Sequence, residues 1–203
     1  VLTLLWSGPA PYRDLARAHH PDRVVFVLPP PLERQEFDRE SVVFLHEEWS
    51  RYVTGGASEP PRFTSPLFSD DEYRHMADVR RVFDAAKLAV PLSLFVIIVR
   101  LRRGRARSAR EMWALVRRGA LIAAGLVALV GVVAAVAFEP LFLLFHYVFF
   151  PQGNFLFDPA TSNLVRLYPD WYWEGLTLRI GATFLGLALA LAAIGTARLR
   201  AVK

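Results

Sequence analysis

GALIAAGLVALVGVVAAVAF, residues 119–138, decides the fold class of this chain. It carries no charge and no polar side chain. A helix of about 20 residues at 1.5 Å per residue runs about 30 Å, the thickness of a bilayer's hydrocarbon core. Lipid offers the backbone no hydrogen-bond partner, so such a run must be helical. Working outward, IGATFLGLALALAAIGTA at 180–197 is a second run of this kind, and AAKLAVPLSLFVIIV at 85–99, with Lys87 and Pro91 inside it, is a third. VLTLLW at 1–6 is too short to span. With no basic segment before it to suggest a signal peptide, it reads as the outer end of a first span whose start is missing. The chain is 54% hydrophobic with a mean hydropathy of +0.29, above the roughly 45–50% apolar content of soluble domains.

Charge orients the spans. Residues 100–118 hold eight Arg against one Glu, and the tail adds Arg198, Arg200 and Lys203. Residues 9–87 hold 11 Lys/Arg and 14 Asp/Glu, and 139–174 hold one Arg and four acids. The positive-inside rule therefore puts the Arg-rich loop and tail in the cytoplasm and the other two segments outside. The net charge of +5 and pI near 10 are topological and do not indicate a nucleic-acid partner. The expected architecture is an all-α polytopic membrane protein of four transmembrane helices, the first truncated, with a small extracytoplasmic α+β cap. Its boundaries are 1–8 (end of the first span), 9–84 (cap), 85–101 (span), 102–117 (basic inner loop), 118–138 (span), 139–174 (aromatic outer loop), 175–197 (span) and 198–203 (tail). The chain has no cysteine, which excludes disulfides, thiol nucleophiles and Cys metal sites.

Within the cap, Val24–Leu28 is a short β-like run closed by Pro29-Pro30-Pro31. Asp38 or Ser41 is positioned to cap a helix through VVFLHEEWSRYV, which Gly55-Gly56 stops. Arg62–Phe68 reads as an extended strand. Ser69-Asp70-Asp71-Glu72 is a capping box, and the helix it opens runs into the 85–99 span.

Two histidines stand out. His75 lies on that helix, with Asp78 three residues on and able to accept from its ring. His146 sits in an aromatic stretch: 12 of the chain's 26 Phe, Trp and Tyr fall between Phe138 and Trp173. His75 precedes the apolar run by roughly 15 Å of helix and His146 follows the 118–138 span by roughly 12 Å. Both imidazoles are thus expected just above the outer membrane face, within roughly 7 Å of each other, where two histidines can relay a proton. The bland alternatives are a surface His75 beside a helix-start carboxylate and an interfacial His146 in an aromatic belt. Phe142, Phe145, Phe149 and Phe150 favour an enclosed apolar pocket for the latter. His19-His20 precede a Pro-Asp turn and read as solvated. His46-Glu47-Glu48 lacks the second histidine of HExxH, so no zincin is expected and His46 is expected in no enclosure. Glu139-Pro140 reads as the end of the 118–138 span. Arg166, the one basic residue of 139–174, is expected to pair with Asp158 or Asp78, the alternative being a lipid phosphate. There is no Gly-rich phosphate loop and no GxSxG nucleophile elbow.

The stretch FHYVFFPQGNFLFDP (145–159) followed by NLVRLYP (163–169) resembles the motif FHxxFFxxGNWxFDP…LIxLYP of the lipoprotein intramolecular transacylase (Lit) family of bacterial membrane proteins. DEYRHMADVRRVF (71–83) resembles that family's second signature, in which HMxDV follows an acidic pair. Phe155 departs from the pattern, where Trp is the family residue. The resemblance implies an acyltransferase of the bacterial cytoplasmic (inner) membrane with its site at the extracytoplasmic face. It would move the sn-2 acyl chain of a diacylglyceryl-cysteine lipoprotein to the cysteine α-amino group, leaving a lyso-form lipoprotein. By motif the catalytic residues are His75 and His146. Asp78, Arg166, Tyr12, Phe145, Phe149, Phe150, Asn154, Phe155 and Tyr168 are expected to orient them or contact substrate. No metal or cofactor is expected, and the partners are the lipid-modified lipoprotein N-terminus and membrane lipids. The competing reading is a non-catalytic membrane protein whose cap binds a lipid or protein partner.

Overall fold

The computed structural model describes residues 2–19, 22–28, 33–103 and 108–201. The Pro29–Pro31 strand end, the His20-Pro21 part of the turn, Arg105 and Arg107 of the basic loop and Lys203 of the tail lie outside the described residues. The chain divides into two units. One combines Thr3–Lys87 with Phe142–Leu176, and the other combines Leu88–Leu141 with Thr177–Lys203.

The first unit begins with α1 (Leu2–Trp6) and α2 (Pro9–His19), followed by an antiparallel hairpin of β1 (Arg23–Val27) and β2 (Arg34–Asp38) in which Val25 faces Glu36. Next comes α3 (Arg39–Val53). Its N-cap is Asp38, whose carboxylate accepts from the Ser41 N–H, and the chain turns off its end through Gly55 at φ +83°, a conformation glycine adopts without strain. Trp49 is fully buried and packs its ring against Tyr52, Phe68 and Tyr73. Residues 62–68 form no strand. Pro61 and Pro66 can donate nothing to a ladder, and the Leu67 N–H turns back to the Ser65 carbonyl at 2.7 Å.

The capping box forms as read. Ser69 N–H donates to Glu72 Oε2 at 2.7 Å and Glu72 N–H to Ser69 Oγ at 3.2 Å, opening α4 (Asp70–Arg103). Glu72 also reaches far along the chain: its Oε1 accepts from Ser162 Oγ (2.6 Å) and from the Leu164 N–H (2.7 Å) at the start of α7 (Asn163–Leu167). Asn163 imitates a peptide group beside β1. Its Oδ1 accepts from Val27 N–H, while its Nδ2 donates to the carbonyls of Val27 and Leu67. These bonds tie the aromatic segment to the hairpin and to α4.

The second unit inverts the soluble pattern. α4 continues helically through Pro91 and exposes Leu88, Leu92, Phe95 and Ile97. α5 (Ala109–Val136) exposes Leu121, Ile122, Leu126 and Leu129, and α8 (Asp170–Ala201) exposes Leu178, Leu187 and Leu189. Apolar side chains facing outward on long helices are what a lipid environment selects. Where α5 and α8 meet, small residues allow close approach. A Cβ on Gly195 would stand 3.1 Å from Arg117 Cβ, and Ala120, Ala124 and Ala192 are buried. The Ser93, Thr183 and Thr196 hydroxyls donate to the carbonyls four residues back, which removes unpaired polar groups from these helices.

Among the described residues, three helices are long and apolar enough to cross a membrane: Asp70–Arg100, Ala109–Val136 and Asp170–Ala201. Of the expected truncated first span, the structure describes the five residues of α1. Residues 139–174 are more ordered than a loop, because a helix, α6 (Phe138–Phe149), follows α5 after one non-helical residue, Ala137. Glu139-Pro140 therefore opens a helix rather than ending one. Proline lacks only an N–H that the first turn leaves unpaired, and an acid there favours the helix dipole.

Candidate active site

His75 sits in the second turn of α4, just past the capping box, and His146 in the last turn of α6. Both are buried, at 7% and 9% exposure. Their rings lie nearly parallel, 17° apart, with centroids separated by 6.0 Å, inside the roughly 7 Å expected of two rings that share a pocket through one intervening atom. Phe150, 2% exposed, wedges against both, at 4.8 Å from His75 and 5.4 Å from His146. Phe157 closes the His75 side at 5.6 Å. Phe142 (4.3 Å), Phe155 (5.1 Å) and Phe145 (5.6 Å) surround His146. Phe155, which departs from the family pattern, fills an aromatic position against the ring.

His146 Nδ1 lies 2.8 Å from the Phe142 carbonyl. A carbonyl only accepts, so Nδ1 carries the hydrogen, and in the neutral ring Nε2 holds the lone pair. His75 Nδ1 is buried with no hydrogen-bond partner. Both rings lie outside the long apolar stretches. Burial, and after it the neighbouring His146, lowers the His75 pKa to about 4, against the opposing pull of Asp78 and Asn154. Burial also lowers the His146 pKa, against the pull of the Phe142 carbonyl. Both imidazoles are neutral at neutral pH, the form able to accept a proton.

Asp78 is not bonded to His75 as expected from its spacing. Its Oδ2 accepts from Asn154 Nδ2 at 2.6 Å and Gln152 Nε2 at 2.7 Å, and its Oδ1 from Arg81. Gln152 and Asn154 reach the same oxygen because Gly153 between them adopts φ +78°.

Other expected site residues are placed elsewhere. Tyr12, buried, and Tyr168, half-buried, belong to a second aromatic cluster around His46, where Tyr12 stacks on the His46 ring at 4.2 Å and donates to the Leu167 carbonyl. His46, expected in no enclosure, is 1% exposed. Arg166 pairs with neither Asp158 nor Asp78. Its guanidinium donates to the carbonyls of Val25 (3.3 Å) and Ala160 (2.8 Å), while Asp158 accepts from the Ala160 N–H. Phe149 is 48% exposed and packs at a tilt against Phe145 rather than on a histidine. Phe157, Gln152 and Gly153 were not singled out in the sequence, although all three lie within the quoted signature. Among the described residues no three His, Asp or Glu side chains gather as a metal site needs.

A model of the lipoprotein intramolecular transacylase Lit family matches residues 33–173, which include both histidines and every residue packed on them. The chain belongs to the Lit family. The in meso structure of the membrane-integral lipoprotein intramolecular transacylase Lit from Bacillus cereus is similar in fold, with a TM-score of 0.60 at 16% identity over 98% of this chain and 84% of that one. No curated protein matches the chain. Family and fold together make this Lit family chain a bacterial integral membrane protein. The paired histidines fall within the two segments that resemble the Lit signatures.

Proposed function

We propose that the protein transfers the sn-2 acyl chain of a diacylglyceryl-modified N-terminal cysteine to that cysteine's own α-amino group, at the extracytoplasmic face of the bacterial cytoplasmic membrane. The observation that carries this reading is the pair of buried, neutral imidazoles 6.0 Å apart inside a phenylalanine enclosure, in a chain of the Lit family.

The chemistry needs little beyond position and proton transfer. Nucleophile and ester belong to one molecule, so folding the substrate until amine and carbonyl meet replaces a bimolecular encounter. Such positioning is worth several kcal/mol of barrier. The α-amine, with a pKa of about 8, must shed a proton as its nitrogen bonds to the ester carbon. His146 accepts it at Nε2, the nitrogen left free by the bond from Nδ1 to the Phe142 carbonyl. As the tetrahedral adduct collapses, the carbon–oxygen bond to the sn-2 position breaks. The proton taken by His146 is relayed to His75, which delivers it to the leaving oxygen, so both rings return to the neutral form. One amide and one alcohol replace one ester and one amine, with no net proton change. Phe142, Phe145, Phe150, Phe155 and Phe157 keep water from competing with the amine.

The test is mass spectrometry of a lipoprotein N-terminal peptide from cells lacking a native enzyme of this kind and expressing this protein. The lyso form, with one glyceryl acyl chain and one amide-linked chain, is expected. A peptide that stays diacylated on glycerol overturns the proposal.

A further inference from the structure

Two arginines converge where α5 and α8 touch, and neither meets an acid. Gly195 sets the approach. A Cβ there would stand 3.1 Å from Arg117 Cβ, 3.3 Å from Arg117 N and 3.3 Å from the Trp113 carbonyl, so α8 is seated against the turn of α5 from Trp113 to Arg117. About one turn along α8, the Arg198 guanidinium lies over the Trp113 ring, its carbon 5.7 Å from the centroid. Arg117 is half-buried, and its Nε is shut off from solvent with no hydrogen-bond partner. Among the described residues neither arginine forms an ion pair. The one acid of 100–118, Glu111, lies in the first turn of α5 and pairs with neither.

Helix direction brings the two side chains toward one level. Cα–Cβ bonds lean toward a helix's N-terminus. α5 begins at this end and α8 finishes there, so Arg117 leans toward the Arg-rich end and Arg198 leans back toward Gly195. Charge assigns this end to the cytoplasmic surface. An arginine that served only to orient the helix would reach water with all its donors. Here one guanidinium nitrogen is buried without an acceptor, which costs free energy unless something fills the place. One turn deeper on each helix, Leu121 and Leu191 stay exposed, apolar surface directly beyond the two charges.

We propose that Arg117, Arg198 and Trp113 form a site for the phosphate of an anionic phospholipid of the inner leaflet. The guanidinium forks match phosphate oxygens in pairs, and a tryptophan is at home at headgroup depth. Leu121 and Leu191 take the start of the acyl chains. Two uncompensated cations, with no acid to receive an ammonium group, select an anionic headgroup over a zwitterionic one. A basic recess between helices at the cytoplasmic side suits such a lipid.

The test uses the full chain in a neutral detergent, titrated with phosphatidylglycerol, phosphatidylcholine or inorganic phosphate. Binding is read by native mass spectrometry and by the melting temperature, which a ligand of the folded state raises. Phosphatidylglycerol is expected to be retained and to raise Tm, and the other two at equal concentration to do neither. Equal binding of phosphatidylcholine, or an equal Tm rise with inorganic phosphate, overturns the lipid assignment. Arg117→Gln and Arg198→Gln should each weaken phosphatidylglycerol binding about tenfold, the worth of a charge-assisted hydrogen bond. Arg118→Gln removes the same charge from an exposed neighbour and should weaken it less than about twofold, since exposed charges are screened. Equal losses in all three variants show diffuse attraction to a basic surface and overturn the site. Should Arg117→Gln fail to fold, Arg198→Lys decides. It keeps the charge but loses the fork and the flat stacking surface, and binding as tight as the wild type's overturns the proposal.

Discussion

Among the described residues three histidines are buried, in two different ways. His46 is as thoroughly enclosed as His75 and His146, and burial likewise lowers its pKa to about 4. Yet each of its nitrogens is satisfied. Nε2 donates toward the Ser7 carbonyl at 3.1 Å and the Gly8 carbonyl at 3.3 Å, and Nδ1 lies 3.3 Å from the Tyr168 hydroxyl, which donates to it. Tyr12 stacks on one face and Tyr172 meets it edge-on. His75 keeps a buried Nδ1 with no partner, and His146 spends only Nδ1, on a carbonyl of its own helix. Burial and a lowered pKa mark both clusters equally. Unspent hydrogen-bonding capacity marks only one of them as a place for chemistry.

That contrast breaks most readily on the reactive side. His75→Ala and His146→Ala are each expected to lower the transfer rate by about 10²–10⁴-fold, the worth of a positioned acid or base, while the protein still folds. Rates come from lyso-lipopeptide formation and folding from thermal melts in detergent. An active His146→Ala variant assigns the proton transfer elsewhere. For His46→Ala the expectation reverses. It removes one donor from the Ser7 and Gly8 carbonyls, which keep the Ser50 hydroxyl and the Tyr12 N–H, and leaves a hole beside Tyr12, a loss of about 2–4 kcal/mol, read as a lowered Tm. Turnover per folded molecule should be unchanged, and a kinetic loss without a stability loss would move His46 into the reactive class.

pH separates the two clusters more finely. The His46 pKa is lower folded, about 4, than unfolded, 6.5, so its stabilising contribution is complete above pH 6.5 and falls away as pH drops toward 4. This amounts to on the order of 3 kcal/mol. His46→Gln keeps a donor for the Ser7 carbonyl and does not titrate. Its melting temperature should fall less steeply between pH 6.5 and 4 than the wild type's, and parallel slopes would contradict the assignment. The smallest expected effect is that of Ser69→Ala. Losing the cap on Glu72 N–H costs about 1 kcal/mol, because Glu72 keeps its bonds to Ser162 and Leu164. A loss several times larger would show that the Ser69 hydroxyl positions that whole junction.

What the sequence made legible was local or periodic. The three long apolar helices follow from run length, the α4 start from a four-residue capping pattern, the α3 start from Asp38 and its end from Gly55. The histidine pair was reachable because two helical rises could be counted from two membrane edges. What stayed hidden depends on residues far apart in the chain. Asp78 meets Asn154 across 76 positions, so the i,i+3 spacing to His75 suggested the wrong partner. His46 meets Ser7, Gly8 and Tyr168, and no periodicity in α3 points to them. Arg166 was expected to seek an acid because it is the one cation of its segment, but its terminal nitrogens donate to backbone carbonyls instead. The Arg62–Phe68 strand failed because Pro61 and Pro66 bracket the run without ladder donors and the Leu67 N–H turns back to Ser65.

The clasp at Glu72 has a consequence for how the protein is made. Its carboxylate binds Ser162 Oγ across 90 positions and the Leu164 N–H across 92. Between the two parts of the first unit lie residues 88–141, which belong to the second. At ribosomal speeds of about 5–20 residues per second, Glu72 emerges roughly 5–20 s before the partners it will hold. Over that interval the N-terminal part of the first unit waits with an unfilled acceptor, and the intervening hydrophobic helices must be threaded before it can close. The first unit is thus completed late in synthesis, and the histidine pair, which needs both of its parts, is assembled only then.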